Sequence, residues 1–382
     1  MRDPAEELAA LEAQGLRRHL RQLDSPQDSR IALAASGRCV NFSSNDYLGL
    51  ANSERLKAAF KNHIEVHGVG AGASRLVCGT MAPHLALEEK IAALKGAEAA
   101  LTFGSGFATA TGILPALCGK EDFLILDKLC HASLIDGARL SGATMRIFPH
   151  NDLGKLRDHL AWARSKAAAE SRIIVVTESV FSMDGDRAPL REIVALKDEF
   201  GALLLLDEAH AFGAIGPQGR GLAAELGLES KIDLQMGTFS KACGLSGGYV
   251  CTSRAMVDLL INRARSFIYS TAPAPALAAT ISDALDLIAG EDGEQRRGKL
   301  WENIRHFSDD AMSAIFPHLI GENEAALAAS EALLRGGFLV PAIRYPTVPR
   351  GTARLRITFS AAHQADDVTA LKNALAGVTS DC

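Results

Sequence analysis

Short apolar runs and longer helical patterns alternate along most of the chain. The apolar runs have the length of buried strands and lie at residues 99–102, 122–126, 172–176, 202–206, 233–236 and 249–252. Helical patterns separate several of them, and the clearest are residues 83–95, with Pro83 at the start and Gly96 just past the end, and residues 189–200. Because such alternation is typical of parallel sheets covered on both faces, the sequence predicts an α/β fold with a mostly parallel central sheet.

Both ends of the chain depart from this alternation. Near the start, regularly spaced leucines predict one amphipathic helix; these leucines are Leu8, Leu11, Leu16, Leu20 and Leu23. A turn at residues 25–29 and a short strand at 40–42 are expected to follow this helix. After a proline-punctuated joint at residues 270–275, we expect helices at residues 275–288, 295–315 and 322–334, and strands at 338–345 and 352–360. The predicted organisation is an N-terminal segment (1–45), a large domain (46–272) and a smaller C-terminal α+β domain (273–382).

The composition is that of a globular protein, with 48% hydrophobic and 22% charged residues, and it excludes a disordered chain. The formal net charge of −5 argues against a nucleic-acid binder with a wholly basic surface. No apolar run approaches the ~20 residues of a membrane span. The acidic, helical N-terminus has the pattern of neither a signal peptide nor a transit peptide. We therefore expect a cytoplasmic protein without membrane or nucleic-acid partners.

The cysteines are seven in number, scattered, and without a Cys-x-x-Cys pair: Cys39, Cys78, Cys118, Cys130, Cys243, Cys251 and Cys382. An odd number at irregular spacing argues against a disulfide framework and against a structural metal site. A reducing cytoplasm fits this pattern, and no metal is expected.

Two glycine motifs match known signatures but lack the context that those signatures need. Residues 68–73 have the G-x-G-x-x-A spacing of a dinucleotide-binding loop, but no predicted strand precedes them and no helix follows. We interpret them as a flexible loop near a ligand or an interface. Residues 244–248 have the G-x-S-x-G spacing of a nucleophile elbow but follow the segment around Lys241. We interpret these glycines as residues that leave space for the backbone beside Lys241. The alternative interpretation is a nucleophile elbow, which would make the protein a hydrolase.

Asp207 stands where the strongly apolar strand in LLLLDEAHAFG should end. Ligands of open parallel sheets bind outside the carboxyl ends of the strands, so this carboxylate either caps a helix or faces a ligand. His210 follows three residues later and could contact the same ligand. Lys241 lies in TFSKACGLSGG, among small and hydroxyl residues and before a glycine-rich loop. This setting favours an amine that forms an imine with an aldehyde over an ordinary solvated lysine.

A carboxylate, a lysine and a phosphate-binding loop together predict pyridoxal phosphate. The carboxylate would keep the ring nitrogen protonated, so that the ring can accept electrons, and the lysine would hold the aldehyde. Residues 103–107 lie between a strand and a helical pattern and would offer backbone N–H groups to the phosphate, with hydroxyls from Thr238 and Ser240. His131, after the strand at 122–126, could provide the face that sandwiches the ring; a histidine taken alone is more often a hydrogen-bonded core or capping residue.

The chain resembles the α-oxoamine synthase family of fold-type-I pyridoxal-phosphate enzymes. The matching stretches, in order, are residues 41–50 (NFSSNDYLGL), 67–80 (HGVGAGASRLVCGT), 105–107 (SGF), 131–140 (HASLIDGARL), 180–190 (VFSMDGDRAPL), 206–221 (LDEAHAFGAIGPQGRG), 238–248 (TFSKACGLSGG), 267–276 (FIYSTAPAPA) and 342–358 (AIRYPTVPRGTARLRIT). They span nearly the whole chain. The resemblance implies a fold-type-I transferase that works as a homodimer with a shared active site.

The resemblance also implies a role for each matching residue. Lys241 would hold the cofactor aldehyde, Asp207 would pair with the ring nitrogen, and His131 would stack on the ring. The other cofactor-binding residues implied are Gly106, Phe107, Ser182, His210, Thr238 and, from the neighbouring subunit, Thr271. The implied substrate-binding residues are Asn45 and Arg356 for the amino-acid carboxylate, and Arg17, Thr347 and Arg344 for the acyl substrate, with Arg18 or Arg21 as alternatives to Arg17. His131 is implied as a substrate-binding residue as well.

The implied reaction is an acyl transfer of biotin biosynthesis, in which L-alanine condenses with a pimeloyl thioester and CO2 is lost. Lys241 would remove the Cα proton, and the thioester carrier would be coenzyme A or acyl carrier protein, which present the same arm. The alternative is 5-aminolevulinate synthase, which joins glycine to succinyl-CoA, or another α-oxoamine synthase. A pyridoxal-binding protein without turnover is a further alternative, because a fold alone does not settle function.

The match departs from the family pattern in two places. Tyr345 stands where biotin-pathway sequences typically have proline, and YPTVPRGT also resembles 5-aminolevulinate synthase, whereas residues 342–344, 352–358 and 360–363 favour the biotin enzyme. The segment between His306 and Ile320 is several residues shorter than is usual for the family. We expect that one strand of the small domain's sheet is lost there.

Overall fold

The computed structural model describes residues 3–379. Its strands are β1 (Arg30–Leu33), β2 (Gly37–Asn41), β3 (Ala99–Phe103), β4 (Phe123–Asp127), β5 (Thr144–Phe148), β6 (Ile173–Glu178), β7 (Leu203–Asp207), β8 (Leu234–Thr238), β9 (Gly248–Thr252), β10 (Ile315–Gly321), β11 (Phe338–Leu339), β12 (Ala342–Ile343) and β13 (Ala353–Thr358). Its α-helices are α1 (Pro4–Ala13), α2 (Glu54–His67), α3 (Ala82–Leu94), α4 (Gly106–Leu117), α5 (Ala132–Ser141), α6 (Leu153–Lys166), α7 (Leu190–Glu199), α8 (Leu222–Glu225), α9 (Arg254–Arg263), α10 (Arg265–Ile268), α11 (Pro275–Ala289), α12 (Glu291–Phe307), α13 (Asn323–Arg335) and α14 (Ala365–Thr379).

The chain divides into two units by its internal contacts. The large unit comprises Leu50–Ser182 and Asp186–Gly298, and the small unit comprises Met1–Gly49, Met183–Gly185 and Lys299–Cys382. This division groups the first 49 residues with the C-terminal part of the chain. The predicted domain boundaries at residues 45 and 272 stay predictions.

The large unit is built on a seven-stranded sheet of order β3-β9-β8-β7-β6-β4-β5. Its strands run parallel except β9, which is antiparallel to both β3 and β8. Every residue of β4, β6 and β8 is buried, as is typical of strands in a parallel sheet that is covered on both faces. The predicted α/β fold with a mostly parallel central sheet is confirmed.

Helix α4 anchors the core of this unit. Its Ile113 and Leu114 are fully buried in one hydrophobic cluster with Phe103 of β3, Met236 of β8 and Val250 of β9. Burying one such side chain stabilises the fold by about 1.5–3 kcal/mol, so the cluster fixes the helix firmly on the sheet. The start of α4, at Gly106, is thereby held at the carboxyl ends of the strands.

The polar ends of the parallel strands lie along one edge of the sheet. Asp127, Glu178, Asp207 and Thr238 are the last residues of β4, β6, β7 and β8. The register pairs Glu178 directly with Asp207. This edge is where open parallel sheets bind their ligands.

The small unit contains two three-stranded sheets, of order β1-β2-β11 and β10-β13-β12. Ile31, Leu33 and Cys39 form the core of the first sheet. Phe42 stacks on the ring of buried His363 with centroids 4.1 Å apart. In the second sheet β13 is buried along its whole length, although it carries Arg354 and Arg356, because hydrogen bonds satisfy both guanidinium groups.

The predicted single helix over the N-terminal leucines is wrong. Helix α1 ends at Ala13, and Gly15 turns the chain with φ of +62°. No residue of α1 is buried, and Leu20 is fully exposed, so these leucines do not form the buried face of one helix. Leu23 instead forms an isolated bridge to Leu33.

Two predictions in the C-terminal part also need correction. The helix expected at residues 295–315 ends at Phe307, and Ile315 begins strand β10. The sequence SDD at residues 308–310 ends it, because Ser and Asp side chains compete for backbone hydrogen bonds; the Ser308 hydroxyl accepts the Asp310 N–H.

The strand expected at 338–345 is two short strands in different sheets, β11 and β12, separated by Pro341. The short segment between His306 and Ile320 does carry β10, and loss of another strand there stays a prediction.

Within residues 3–379, no helix is long and apolar enough to cross a membrane. In the same range, no group of three or more His, Cys, Asp and Glu side chains could hold a metal ion. The cysteines of the described chain are six free thiols. Cys382, the seventh, lies outside the described residues.

Candidate active site

A cavity of about 230 Å³ opens at the carboxyl edge of the large sheet. The predicted cofactor-binding residues that line it are Gly106, Phe107, His131, Asp207, His210, Thr238 and Lys241. They come from segments far apart in the sequence, and the parallel sheet brings them together because each follows or ends a strand.

Lys241 contacts His210 inside the cavity, with Nζ 2.8 Å from Nε2. Lys241 is partly buried and His210 is buried. The loop after Lys241 turns back at Gly244, whose N–H donates to the Lys241 carbonyl and whose φ is +66°. A Cβ at Gly244 would lie 2.3 Å from the backbone nitrogen of Ala51, so only glycine fits there. The absence of a side chain at Gly244 thus lets the backbone of Leu50 and Ala51 pack against this loop.

Asp207 presents a buried carboxylate to the same cavity. Its Oδ1 accepts the Ala209 N–H at 2.9 Å. Burial raises the pKa of Asp207, and the positive charge of Lys241 opposes this rise. A cationic group bound beside the carboxylate would stabilise its charged form further. Asp207 is therefore suited to pair with a protonated ring nitrogen.

His131 both caps a helix and faces the cavity. Its Nδ1 accepts the Ser133 N–H at 3.2 Å at the start of α5 and lies 2.8 Å from the Ser133 hydroxyl. The proton of the neutral ring is therefore on Nε2. Desolvation lowers the pKa of His131, which favours the neutral imidazole. The capping role and the ring-stacking role, which the sequence offered as alternatives, are compatible in this geometry.

The N-terminus of α4 forms an anion-binding corner of the cavity. Ser105 caps the helix by accepting the Ala108 N–H at 3.0 Å. The N–H groups of Gly106 and Phe107 belong to the first turn and have no partner within the helix, so they suit a phosphate. A Cβ at Gly106 would lie 3.3 Å from Thr238 Cβ, and one at Gly248 would lie 2.7 Å from the Gly106 nitrogen.

These contacts fit pyridoxal phosphate. The cavity combines an amine for the aldehyde, a carboxylate for the ring nitrogen, an imidazole for the ring face and a helix N-terminus for the phosphate. Thr238 lies at the phosphate corner as predicted, but its hydroxyl donates to the Gly247 carbonyl at 2.7 Å. Ser240 also lines the cavity, and its hydroxyl lies 2.8 Å from that of Thr238.

Two predicted cofactor residues do not line the cavity. Ser182 is buried in the loop that the isolated bridge between Val180 and Arg187 closes. Thr271 is exposed, and the next residue, Ala272, donates its N–H to the Ala73 carbonyl at 3.1 Å. The described chain therefore does not bring Thr271 to its own phosphate corner.

The predicted carboxylate-binding residues meet within the small unit. Arg356 donates from Nη2 to Asn45 Oδ1 at 3.1 Å and from Nη1 to Thr358 Oγ1 at 2.9 Å. The Tyr47 hydroxyl lies 3.3 Å from the same Asn45 oxygen. The guanidinium is thus buried and held in a polar cluster.

The predicted acyl-substrate residues lie at a separate pocket of about 260 Å³ in the small unit. Arg344 and Thr347 line it, and Arg344 Nε donates to the Gly15 carbonyl at 2.6 Å. Arg18 lines it too, whereas Arg17 forms an ion pair with Glu12 at 3.3 Å. The structure thus places Arg18, one of the two alternatives to Arg17, at this pocket.

Sequence analysis missed Glu178 and Ser133, which also line the cavity. Glu178 follows an apolar run in the way that Asp207 does, and this strand-end position was the available signal. The predicted strand stopped at residue 176, two residues too early to mark Glu178.

Comparisons with known proteins identify the family. The profile of the family "Aminotransferase class I and II" matches residues 37–375. The chain is 47% identical to the 8-amino-7-oxononanoate synthase of Geobacter sulfurreducens, over 99% of this chain and 98% of that protein. It is also 47% identical to the one of Methylorubrum populi, over 99% of this chain and 94% of that protein.

Solved structures agree with this assignment. The serine palmitoyltransferase of S. paucimobilis, solved with bound PLP and myriocin, superposes with a TM-score of 0.91 at 28% identity, covering 99% of this chain and 96% of that one. The 8-amino-7-oxononanoate synthase of Francisella tularensis superposes with a TM-score of 0.76 at 26% identity, covering 90% and 98%. The chain therefore belongs to the aminotransferase class I and II family and, within it, to the family of the 8-amino-7-oxononanoate synthases.

Proposed function

We propose that this chain catalyses the pyridoxal-phosphate-dependent condensation of L-alanine with a pimeloyl thioester. The products are 8-amino-7-oxononanoate, CO2 and the free thiol carrier, a step of biotin biosynthesis. The observation that carries the proposal is the cavity in which Lys241, Asp207, His131 and His210 meet. The 44–48% identity to curated relatives of that name supports the choice of substrates.

Lys241 is the proton-transfer residue of the proposed mechanism. Bound pyridoxal phosphate supplies an aldehyde for the substrate amine and a protonated ring that accepts the electron pair released at Cα. Lys241 Nζ would take the Cα proton of L-alanine and later return a proton to the product carbon. His210 Nε2, 2.8 Å from Nζ, orients the amine and stabilises it as the proton moves.

Asp207 and His131 fix the electrostatics of the cavity. The Asp207 carboxylate would hold the proton on the ring nitrogen, and burial strengthens that interaction because the local dielectric is low. The neutral His131 ring would cover one face of the cofactor and exclude water from it. The first-turn N–H groups at Gly106 and Phe107 would orient the phosphate.

The small-unit residues are proposed to select the substrates. Arg356, held by Asn45, would bind the alanine carboxylate in a bidentate manner. Arg18 with Thr347 and Arg344 would contact the acyl substrate. A loss of alanine affinity in Arg356→Lys without a change in thioester affinity would support this division, and equal losses for both substrates would contradict it.

A crossed product assay tests the proposed function. The purified protein is given alanine or glycine, each with pimeloyl or succinyl thioesters, and products are identified by mass. We expect 8-amino-7-oxononanoate from alanine and the pimeloyl thioester. Production of 5-aminolevulinate from glycine and succinyl-CoA would favour the alternative to which Tyr345 and its neighbours point. Coenzyme A and acyl carrier protein forms of the pimeloyl substrate, compared at equal concentration, identify the carrier.

We further propose a homodimer with shared active sites in the cytoplasm. Thr271 is exposed and away from its own chain's cavity, which supports a role at the neighbour's phosphate. Six free thiols in the described chain are compatible with a reducing compartment.

Mixing two inactive variants, Lys241→Ala and Thr271→Ala, tests the shared site. If Thr271 serves the partner, one site of each mixed dimer carries both defects and the other carries neither. Activity should then return to up to about half per mixed dimer. A mixture that stays inactive despite demonstrated subunit exchange contradicts the shared site.

A further inference from the structure

Glu178 is a buried carboxylate in the cofactor cavity to which the proposed mechanism gives no role. It ends β6, and the sheet register pairs it with Asp207 at the end of β7. Only 2% of the residue is exposed, and it lines the cavity together with His131 and Lys241. Two carboxylates therefore lie side by side at the bottom of one site.

Glu178 binds the backbone of His131. Its Oε1 accepts the His131 N–H at 2.5 Å. This N–H belongs to the residue that caps α5, and the ring of the same residue is held by Ser133 through Nδ1. His131 is therefore fixed at two points, by the sheet through its backbone and by the helix through its ring. With both points fixed, few side-chain rotamers of His131 remain accessible.

Two features compensate for the burial of Glu178: the positive charge of Lys241 across the cavity and the hydrogen bond from the His131 N–H. In residues 3–379, no lysine or arginine forms a salt bridge with Glu178. Burial and the neighbouring charge of Asp207 raise its pKa well above the usual range. A buried acid beside another acid is costly unless it makes a strong hydrogen bond, and the His131 N–H provides one.

We propose that Glu178 is a positioning residue of the cofactor site: by binding the His131 backbone N–H, it holds the His131 imidazole over the ring of bound pyridoxal phosphate. This inference rests on the stacking role of His131 given under the proposed function. It predicts that removing Glu178 and removing the His131 ring have the same effect on cofactor affinity, because both remove the same contact.

A double-mutant cycle on cofactor affinity tests this proposal. The protein is stripped of cofactor, and the dissociation constant of pyridoxal phosphate is measured by absorbance titration for wild type, Glu178→Leu, His131→Ala and the double variant. We expect each single variant to bind about tenfold more weakly, as the loss of one aromatic contact implies. The double variant should also lose about tenfold, since coupled residues are not additive. A loss of about a hundredfold in the double variant, or a normal affinity of Glu178→Leu, would overturn the proposal.

Glu178→Gln separates the hydrogen bond from the charge. The glutamine oxygen can still accept the His131 N–H, so the affinity should stay within about twofold of wild type. A tenfold loss in this variant would mean that the charge of Glu178 matters instead, and would overturn the proposal. If Glu178→Leu fails to fold, Glu178→Ala takes its place in the cycle.

Asp233→Asn is the matched control. Its carboxylate also accepts a backbone N–H, that of Leu204 at 2.8 Å, but at the amino ends of the strands. Cofactor affinity should be unchanged in this variant, whereas a loss like that of Glu178→Leu would assign the effect to general loosening of the sheet and overturn the proposal. A wild-type protein that binds the cofactor but forms no condensation product would contradict the proposed function alone and leave this cycle interpretable.

Discussion

Asp207 and Glu208 are neighbours in the chain, yet their side chains enter two different regions of the large unit. Asp207 faces the cofactor cavity, where Lys241 is the nearby cation. Glu208 enters the interior and forms an ion pair with Lys95, and both side chains are 0% exposed. Successive residues of extended chain point to opposite sides, which explains the divergence.

The two lysines differ in what surrounds the amine. Lys95 Nζ binds Glu208 and the Arg220 carbonyl, and Glu208 also accepts the Ala223 N–H at 3.0 Å. Gly221 is required beside this pair, because a Cβ there would lie 2.5 Å from a Glu208 oxygen. Lys241 instead borders open volume. A buried lysine with saturated partners stabilises the fold, whereas a lysine at a cavity wall is available for chemistry.

Replacing Lys241 should have the largest effect on turnover. We expect Lys241→Ala to lower the turnover number by at least about a thousandfold, because it removes the amine that is proposed both to hold the cofactor and to act as the base. The fold should survive, since the side chain borders a cavity rather than the core. Steady-state product formation and thermal unfolding are measured together, with Lys90→Ala on the surface as control. Near-normal turnover would refute the assignment.

Replacing Lys95 should have the opposite result: a loss of stability with little change in turnover. Lys95→Met leaves the Glu208 carboxylate buried without its cation, so we expect the free energy of unfolding to fall by about 3–5 kcal/mol. Turnover per folded, cofactor-loaded molecule should stay close to wild type. Urea unfolding measures the free energy of unfolding, and an activity titration against bound cofactor measures the turnover per loaded molecule. A large loss of turnover with normal stability would contradict the distinction between the two lysines.

Asp207→Asn should separate catalysis from cofactor binding. The substitution nearly preserves volume but removes the charge that is proposed to hold the proton on the ring nitrogen. We expect turnover to fall about a hundredfold, as when one preorganised electrostatic contact is lost, and cofactor content to fall much less. Cofactor content by absorbance is compared with turnover in the same preparation. Equal losses of both would mean that Asp207 is mainly structural.

The smallest effect on turnover is expected from replacing His150. This histidine is stabilised in its charged form, in contrast to the neutral His131. His150 lies between Asp127 (3.0 Å) and Asp186 (2.8 Å), and these carboxylates raise its pKa to about 10, against the effect of burial. The folded-state pKa exceeds the unfolded value of ~6.5, so the stabilisation is complete below about pH 6.5 and is lost as the pH rises towards 10.

We therefore expect the difference in unfolding free energy between wild type and His150→Gln to be largest at pH 6 and to shrink at pH 8 and again at pH 10. Urea titrations at these pH values measure it, and turnover at pH 7 should change little. A difference that grows with pH would contradict a protonated His150.

The strands and the chemistry at their ends were predictable from sequence because they depend on local patterns. The run before Asp207 and the glycine-flanked Lys241 each carry their signal within a few residues. The partners of Lys95 could not be predicted, since Glu208 is 113 residues away and the lysine looked like the last residue of a surface helix. The helix predicted over the N-terminal leucines was wrong because their spacing is helical, but no residue of α1 is buried, and Leu23 packs instead on the first small sheet. The short strands β11 and β12 depend on pairing with distant strands and have no pattern of their own.

The central claim, that Lys241 and not another buried lysine holds the cofactor, is tested most directly by reducing the cofactor-loaded protein with borohydride. Reduction makes the link between cofactor and lysine permanent, and peptide mass spectrometry then locates it. We expect loss of the visible absorbance band and a single phosphopyridoxyl label on the peptide that contains Lys241, with the Lys95 peptide unmodified. A label on Lys95 or another lysine, or a colourless protein without any label, would contradict it.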